Sequence, residues 1–209
     1  MTPLPKPIVF VVDDYAPVRR SMVRLLHAAG FVVAAFASAE EFLAQYDPQT
    51  LGCLVLDVAM PTLNGLELQS LLIKLGSLLP IIFLTGASDI PESVRAMKQG
   101  ASDFLTKPLD DEELLAAVRV AIEKHSALRR EQAELSEIRG RLVTLTPRER
   151  EVLDHVVAGK LNKQIADDLG TVEQTIKVHR AHVMEKMRVQ SVAQLVRLME
   201  RYRIKGSVH

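Results

Sequence analysis

Polar residues that could bind a metal ion or attack an electrophile stand directly after short apolar runs in the first half of the sequence. They are Asp13-Asp14, Asp57, Thr85 and Lys107-Pro108. Three carboxylates in one place raise one another's pKa unless a cation keeps them ionised, and magnesium prefers such oxygen ligands. A carboxylate beside that cation can accept a phosphoryl group, while the metal and the lysine neutralise the transferred charge. If the fold brings these residues together, magnesium-dependent phosphoryl transfer is the expected chemistry.

The elements that must position these residues alternate between strand and helix patterns. The predicted strands are Ile8–Val12, Val32–Phe36, Cys53–Leu56, Ile81–Leu84 and Asp103–Leu105. The predicted helices cover residues 18–30, 39–46, 66–75 and 91–99, and a further helix begins at Asp110. Strands joined by helical crossovers predict an α/β fold with a doubly wound five-stranded parallel sheet, in which functional residues gather at the carboxyl ends of the strands.

The first half of the sequence also resembles a known family. The stretches VFVVDDYAPVRR, LVLDVAMPTLNGLEL, PIIFLTGAS and GASDFLTKPL are similar to the receiver domain of bacterial two-component response regulators, over about residues 6–125. This resemblance implies a flavodoxin-like fold in which Asp57 is the phospho-acceptor. It also implies that Asp13, Asp14 and Asp57 bind magnesium together with the backbone carbonyl of Ala59.

The same resemblance assigns roles to residues of the fourth and fifth strands. Thr85 is expected to contact the phosphoryl oxygens after transfer, and Lys107 to pair with them. The peptide bond between Lys107 and Pro108 is expected to be cis. Phe104 occupies the position of the family's switch aromatic, although an aromatic residue near the end of a strand can equally be a plain core residue.

Residues 110–142 contain no proline and a single glycine, Gly140, and they are rich in good helix formers, which predicts a long helix. Leu128, Leu135 and Leu142 recur every seven residues. This spacing is compatible with a short coiled coil between two protomers. The alternative is an exposed linker helix whose apolar residues pack on its own domains.

The last part of the sequence predicts a small all-α domain. Thr146 and Glu149 have capping-box spacing, with Pro147 at the first helical position. Asn162 is the predicted cap of a second, short helix that ends at Gly170. Two short helices joined by a tight glycine turn favour a helix-turn-helix motif, whose second helix enters the major groove of DNA. The helix pattern alone is also compatible with a three-helix protein-binding bundle.

Residues 143–205 resemble the LuxR/NarL-type DNA-binding domain, through the stretches LTPREREVL, NKQIA and TIKVH. The predicted DNA-binding residues are Lys163, Gln174, Thr175, Lys177, Val178, His179, Ala181 and His182. Lys177 and Val178 are the candidates for base contacts. The residues better placed for phosphates are Lys163, Arg180, Lys186 and Arg188. Val172 stands where the family usually has a capping Ser or Thr, so the recognition helix either starts one residue earlier or lacks a cap worth about 1 kcal/mol.

We predict a receiver domain at 1–122, a helical linker at 123–142 and a LuxR-type helix-turn-helix domain at 143–209. Residues 1–120 carry 9 Lys and Arg against 14 Asp and Glu, whereas residues 121–209 carry 17 against 12. A basic second half favours an anionic partner such as nucleic acid. The N-terminus lacks the pattern of a signal peptide and no apolar run is long enough for a membrane span, so we expect a cytoplasmic protein without membrane contact.

The combined pattern resembles the FixJ/NarL class of response regulators. That resemblance implies a transcription regulator whose Asp57 is phosphorylated by a sensor histidine kinase. Phosphorylation would make the face formed by the helix predicted at 91–99 and the fifth strand competent to dimerise. The homodimer would then bind promoter DNA, with RNA polymerase as a further candidate partner, and the class favours activation of transcription.

Two alternatives stay open at this point. One is a constitutive DNA-binding regulator whose receiver acts only as a dimerisation module, although such a receiver need not retain all of its acidic, hydroxyl and lysine residues. The other is a phosphatase, whose aspartyl nucleophile typically belongs to an Asp-x-Asp motif. Here Asp57 is followed by Val58 and Ala59. We therefore predict that the protein is not an enzyme.

Overall fold

The computed structural model describes residues 6–86 and 101–206. The chain divides into two compact units, of which the first ends at Arg129 and the second begins at Arg130. The helix predicted at 91–99, which forms part of the predicted dimerisation face, lies outside the described residues. The predicted domain bounds at 122/123 and 142/143 stay a prediction.

The described part of the first unit contains a five-stranded parallel sheet with the strand order β2-β1-β3-β4-β5. The strands are β1 (Ile8–Val12), β2 (Val32–Phe36), β3 (Gly52–Asp57), β4 (Ile81–Thr85) and β5 (Asp103–Thr106). β3 and β4 are buried along their whole length because helices cover both faces of the sheet. The predicted α/β fold with a doubly wound parallel sheet is confirmed.

Helices α1 (Ala16–Ala28), α2 (Ala39–Gln45) and α3 (Gly65–Lys74) pack on the sheet, and α4 (Asp111–Val143) follows β5. α2 begins at Ser38, whose hydroxyl accepts a hydrogen bond from the backbone N–H of Glu41, and α3 begins with a capping box of Asn64 and Glu67. The helices bury two apolar layers, one on each face of the sheet. Phe42 and Phe83 belong to one layer, and Ile82 belongs to the other.

Gly52 allows two strands to approach each other closely. A Cβ atom at this position would lie 1.8 Å from the carbonyl oxygen of Ile8, which pairs with Gly52 across β1 and β3. The backbone of Gly52 also contacts Nδ1 of the buried His125 on α4, with 2.8 Å between Nδ1 and the Gly52 oxygen. The start of β3 therefore has no room for a side chain.

We expect Gly52→Ala to lower the free energy of unfolding of the first unit by about 3 kcal/mol or more, because β1 and β3 must separate to admit the methyl group. Gly140→Ala is the matched control, since a Cβ there meets nothing within 4 Å. In a helix this control is expected to stabilise by up to about 1 kcal/mol. Urea unfolding followed by circular dichroism measures both changes. Equal stability of Gly52→Ala and wild type would contradict the close approach.

The second unit is an all-α bundle. It contains α5 (Pro147–Val157), α6 (Asn162–Asp168), α7 (Glu173–Lys186) and α8 (Val192–Gly206), together with the end of α4. Its core includes Val152, Ile165, Ile176, Val183 and Leu195, all fully buried. A long helix and a small all-α helix-turn-helix unit therefore follow the α/β sheet, as the sequence predicts.

Apolar residues of the linker helix contribute to this second core. Ile138 on α4 is 5% exposed, and Leu142 packs against the same cluster. These contacts favour the interpretation in which the linker's apolar residues pack on its own domain.

Helix starts in the second unit agree only partly with the predicted caps. The capping box of Thr146 and Glu149 is present, with Pro147 in the first turn. The predicted cap at Asn162 is wrong: α6 is capped from Leu161, whose N–H donates to Gln164, and the Asn162 oxygen accepts from Arg180 instead. α7 starts after Val172 without a side-chain cap. Of the two expectations for this helix, the missing cap is therefore confirmed, and the helix does not start one residue earlier.

Among the described residues, no helix combines the length and the apolar character needed to cross a membrane.

Candidate metal centre and nucleic-acid interface

Three carboxylates meet at the carboxyl end of the sheet. Asp13 follows β1 and Asp57 ends β3, and these neighbouring parallel strands end at the same edge. One carboxylate oxygen from each of Asp13, Asp14 and Asp57 lies within 4.8 Å of the other two. Asp13 is fully buried and Asp57 is 7% exposed, whereas Asp14 is exposed. The fold thus gathers the predicted acidic residues into one cluster.

Lys107 joins this cluster from the loop after β5. Its Nζ atom lies 2.9 Å from Oδ2 of Asp13 and 3.1 Å from Oδ1 of Asp57. The peptide bond between Lys107 and Pro108 is cis, as expected. Burial lowers the pKa of the Lys107 ammonium, but the hydrogen bond to Asp13 and the charge of Asp57 outweigh it and raise that pKa. Lys107 therefore stays protonated between the two carboxylates.

Burial raises the pKa of Asp57, whereas Lys107 and a hydrogen bond from the Ala59 backbone act in the opposite direction. The nearby charge of Asp13 raises the pKa of Asp57 further. Among the residues that the structure describes, three carboxylates face one ammonium here, so the ionised cluster retains negative charge for a further cation. Hard oxygen donors in a partly buried pocket fit a magnesium ion. This acidic pocket is typical of magnesium sites.

Arg19 holds the loop that carries two of the carboxylates, a role that the sequence analysis missed. Its Nη1 atom donates hydrogen bonds to the carbonyl oxygens of Asp13, at 2.5 Å, and of Asp14, at 3.3 Å. Oδ1 of Asp13 also accepts from the backbone N–H of Tyr15 at 2.8 Å. A basic residue one turn into the helix after the acidic pair was the available signal in the sequence.

The other predicted receiver residues border the cluster. Thr85 is buried at the end of β4, and its hydroxyl donates to the carbonyl oxygen of Gly86 at 3.1 Å. Phe104 is half-buried on β5 and stacks on Phe83, with 5.0 Å between the ring centroids. Ala59 is exposed two residues after Asp57. Their roles in phosphoryl binding and switching stay predictions.

Helix α7 presents a buried face and an exposed face. Ile176 and Val183 are fully buried in the core of the second unit. The exposed residues of this helix include Gln174, Lys177, Val178, Ala181 and His182, and Thr175 and His179 are half-buried. Lys163 is exposed on the preceding α6. Every predicted DNA-binding residue therefore has accessible surface, and its contact with DNA stays a prediction.

A buried carboxylate beneath α7 has a second role that the sequence analysis missed. Glu149 on α5 is 3% exposed, and its Oε2 atom lies 2.6 Å from Nζ of Lys186 and 2.8 Å from the backbone nitrogen of Thr146. The hydrogen bond from Lys186 lowers the pKa of Glu149 to about 2, with help from Thr146. Nδ1 of His182 lies 3.6 Å from the other Glu149 oxygen. Capping-box spacing identified Glu149 only as a local cap, but the carboxylate also joins α5 to α7.

Comparisons with known proteins agree with both units. Residues 9–119 match the family described as the response regulator receiver domain, and residues 143–199 match the bacterial regulatory proteins of the luxR family. Nodulation protein W of Bradyrhizobium diazoefficiens is 48% identical over 195 residues, which cover 93% of this chain and 86% of that protein. The transcriptional regulatory protein FixJ of Rhizobium meliloti is 44% identical over 190 residues, which cover 91% of this chain and 93% of FixJ.

A solved structure shows the same likeness across both units. The low-resolution structure of the response regulator StyR is 43% identical in sequence, with a TM-score of 0.88. The match covers 95% of this chain and all of StyR.

Proposed function

The chain belongs to the FixJ-type two-component response regulators, which are transcription factors and not enzymes, and we propose that phosphorylation of Asp57 switches its binding to promoter DNA. A receiver implies a cognate histidine kinase, and a LuxR-type domain implies DNA binding. The observation that carries the proposal is the complete cluster of Asp13, Asp14, Asp57 and Lys107. Since its ligand is promoter DNA, we place the protein in the cytoplasm.

In the proposed transfer, an Asp57 carboxylate oxygen bonds to the phosphorus atom as the bond from phosphorus to a kinase histidine breaks. Asp13, Asp14 and Asp57, with the Ala59 carbonyl, would hold a magnesium ion, which supplies neutralising charge when bound. The ammonium of Lys107 already lies 3.1 Å from Asp57, so it can pair with a phosphoryl oxygen on the same carboxylate. Thr85 would then donate its hydroxyl to the phosphoryl group.

The phosphorylated protein is proposed to act as a homodimer that places two α7 helices on two half-sites. Two weak half-site contacts then become one avid binding event. Light scattering after size-exclusion chromatography, with magnesium and with or without the phosphoryl mimic beryllofluoride, tests this step. A shift from monomer to dimer in wild type but not in Asp57→Asn is expected. The same dimer in every sample would favour the constitutive regulator, and no shift at all would contradict a dimerisation switch.

If Lys177 contacts a base, its removal should reduce both the affinity and the sequence selectivity of DNA binding. Lys177→Ala should cost about 1–3 kcal/mol of binding to a promoter fragment and relax selectivity, because a side chain that reads a base edge is lost. Lys163→Ala, in contrast, should weaken binding to all DNA fragments alike. It should also lower the slope of log binding constant against log salt concentration by about 1, as expected for one lost phosphate contact. Fluorescence anisotropy titrations at several salt concentrations separate the two effects.

Lys160→Ala is the control for both substitutions, because Lys160 is not among the predicted DNA-binding residues and its Nζ atom lies 2.7 Å from Asp168. It is expected to change neither selectivity nor the salt slope by a comparable amount. Unchanged selectivity of Lys177→Ala would remove this residue from the base contacts.

A further inference from the structure

We propose that the end of linker helix α4 sets the orientation of α7, with Arg141 as a positioning residue for DNA recognition. The inference rests on the proposed function, which assigns DNA recognition to α7. It concerns contacts within the second unit, which begins at Arg130.

Arg141 binds the carboxyl end of α7 directly. Its Nη1 atom donates a hydrogen bond of 3.0 Å to the carbonyl oxygen of Met187, the C-cap residue of that helix. Helix carboxyl ends carry unpaired carbonyls and partial negative charge, so a guanidinium is a complementary partner. The Arg141 side chain is only 21% exposed, which shields this contact from solvent.

Glu137 completes the connection from the preceding turn of α4. Its Oε1 atom lies 2.6 Å from Nη2 of Arg141, which aligns the guanidinium, and 3.7 Å from Nη1 of Arg188. Arg188 follows α7 with a φ of 54°, a conformation that non-glycine residues rarely adopt. The turn that ends α7 is therefore held by charged groups of α4 as well as by its own backbone.

The remaining contacts explain why this end of α7 would determine its orientation. α4 is anchored in the core by Ile138, one turn before Arg141. The amino end of α7 has no side-chain cap at Val172. Ten residues separate Lys177 from Met187, which is about 15 Å of helix, so a small tilt at the carboxyl end displaces the exposed reading face. Displaced side chains lose base contacts before they lose phosphate contacts.

Full-length Arg141→Ala tests the proposal by binding. We expect about tenfold weaker binding to a promoter fragment, with binding to unrelated DNA changed by less than about twofold, because base contacts need the defined helix orientation. Arg141→Lys should recover part of the loss, since its ammonium can still donate to the Met187 carbonyl. Arg139→Ala is the matched control, because Arg139 is an exposed arginine on the same helix, and it should bind like wild type.

Two further measurements separate positioning from stability and from the proposed function. Leu195→Val weakens the same core without removing the contact, and should retain wild-type selectivity at temperatures well below unfolding. Amide hydrogen exchange without DNA should be at least tenfold faster at Arg188 and Val189 in Arg141→Ala but not in Arg139→Ala. If the wild-type protein bound the promoter fragment no better than unrelated DNA, the proposed function would be refuted. The exchange data would still decide whether Arg141 stabilises the end of α7.

The proposal is overturned if Arg141→Ala binds DNA like wild type, or if Leu195→Val loses the same selectivity. Unchanged exchange at Arg188 and Val189 would overturn it too.

Discussion

Asp57→Asn is expected to abolish covalent phosphorylation while the protein stays folded. The asparagine amide has nearly the shape of the carboxylate but lacks the anionic oxygen that would attack phosphorus. Burial raises the pKa of Asp57, so the neutral amide also removes a charge that is costly to bury. Lys107 keeps its contact with Asp13 at 2.9 Å, and the substitution therefore leaves no buried ammonium without a partner. We expect unchanged or slightly higher thermal stability.

Intact-mass spectrometry after incubation with magnesium and a small-molecule phosphoryl donor measures this result. Wild type should gain the mass of one phosphoryl group, and Asp57→Asn should gain none. Asp47→Asn is the control, since Asp47 is an exposed carboxylate in the loop after α2, and it should be phosphorylated like wild type. A phosphoryl adduct on Asp57→Asn would refute the assignment of the acceptor.

Glu149→Gln is expected to lower the free energy of unfolding of the second unit by about 2 kcal/mol, because the nearly buried carboxylate loses its charged hydrogen bond to Lys186. The glutamine oxygen can still accept from the Thr146 backbone, so the local cap survives. Selective DNA binding is expected to weaken as well, since the ion pair joins α5 to the end of α7. Urea unfolding and anisotropy titrations measure the two effects.

The difference in unfolding free energy between wild type and Glu149→Gln should become smaller as the pH falls. The folded-state pKa of Glu149 is lowered to about 2 from 4.5, so its contribution is fully present above pH 4.5 and is lost as the pH falls towards 2. Wild type and Glu149→Gln should therefore converge in stability across that window. Glu151→Gln on the same helix is the control, because its surface pair with Arg148 is worth only about 0–1 kcal/mol. A gap that does not change with pH would contradict the buried ion pair.

Much of the receiver was predictable because its signals are local. β1, β3 and β4 are continuous apolar runs, and a parallel sheet brings the residues at their carboxyl ends to one edge. Asp13, Asp57 and Thr85 could be placed at that edge without coordinates. The bounds differ by a residue at some ends: β3 extends to Gly52 and Asp57, and α2 ends at Gln45 instead of Tyr46.

Local signals were less reliable where a polar residue had more than one partner available. Asn162 has the side chain of a good cap, but its oxygen accepts from Arg180, 18 residues further along the chain. The phosphate contact of Lys186 stays a prediction, and the ion pair that its Nζ atom forms with the buried Glu149, at 2.6 Å, was not predicted. The residue type determines which hydrogen bonds and ion pairs a side chain can form, and the packing of the helices determines which of them do form.

The sequence by itself determined the order of strands and helices along the chain, the cluster of acidic residues at one sheet edge and the helix that carries the candidate DNA contacts. Hydrophobic periodicity is a local signal, and strands joined by helical crossovers pair in parallel with their carboxyl ends at one edge. Only the tertiary structure decided which charges meet. Lys107 reaches Asp13 across 94 residues of sequence, and Arg141 reaches Met187 across 46. Such contacts depend on the distance and orientation of packed elements, and neither quantity is encoded in any single stretch of residues.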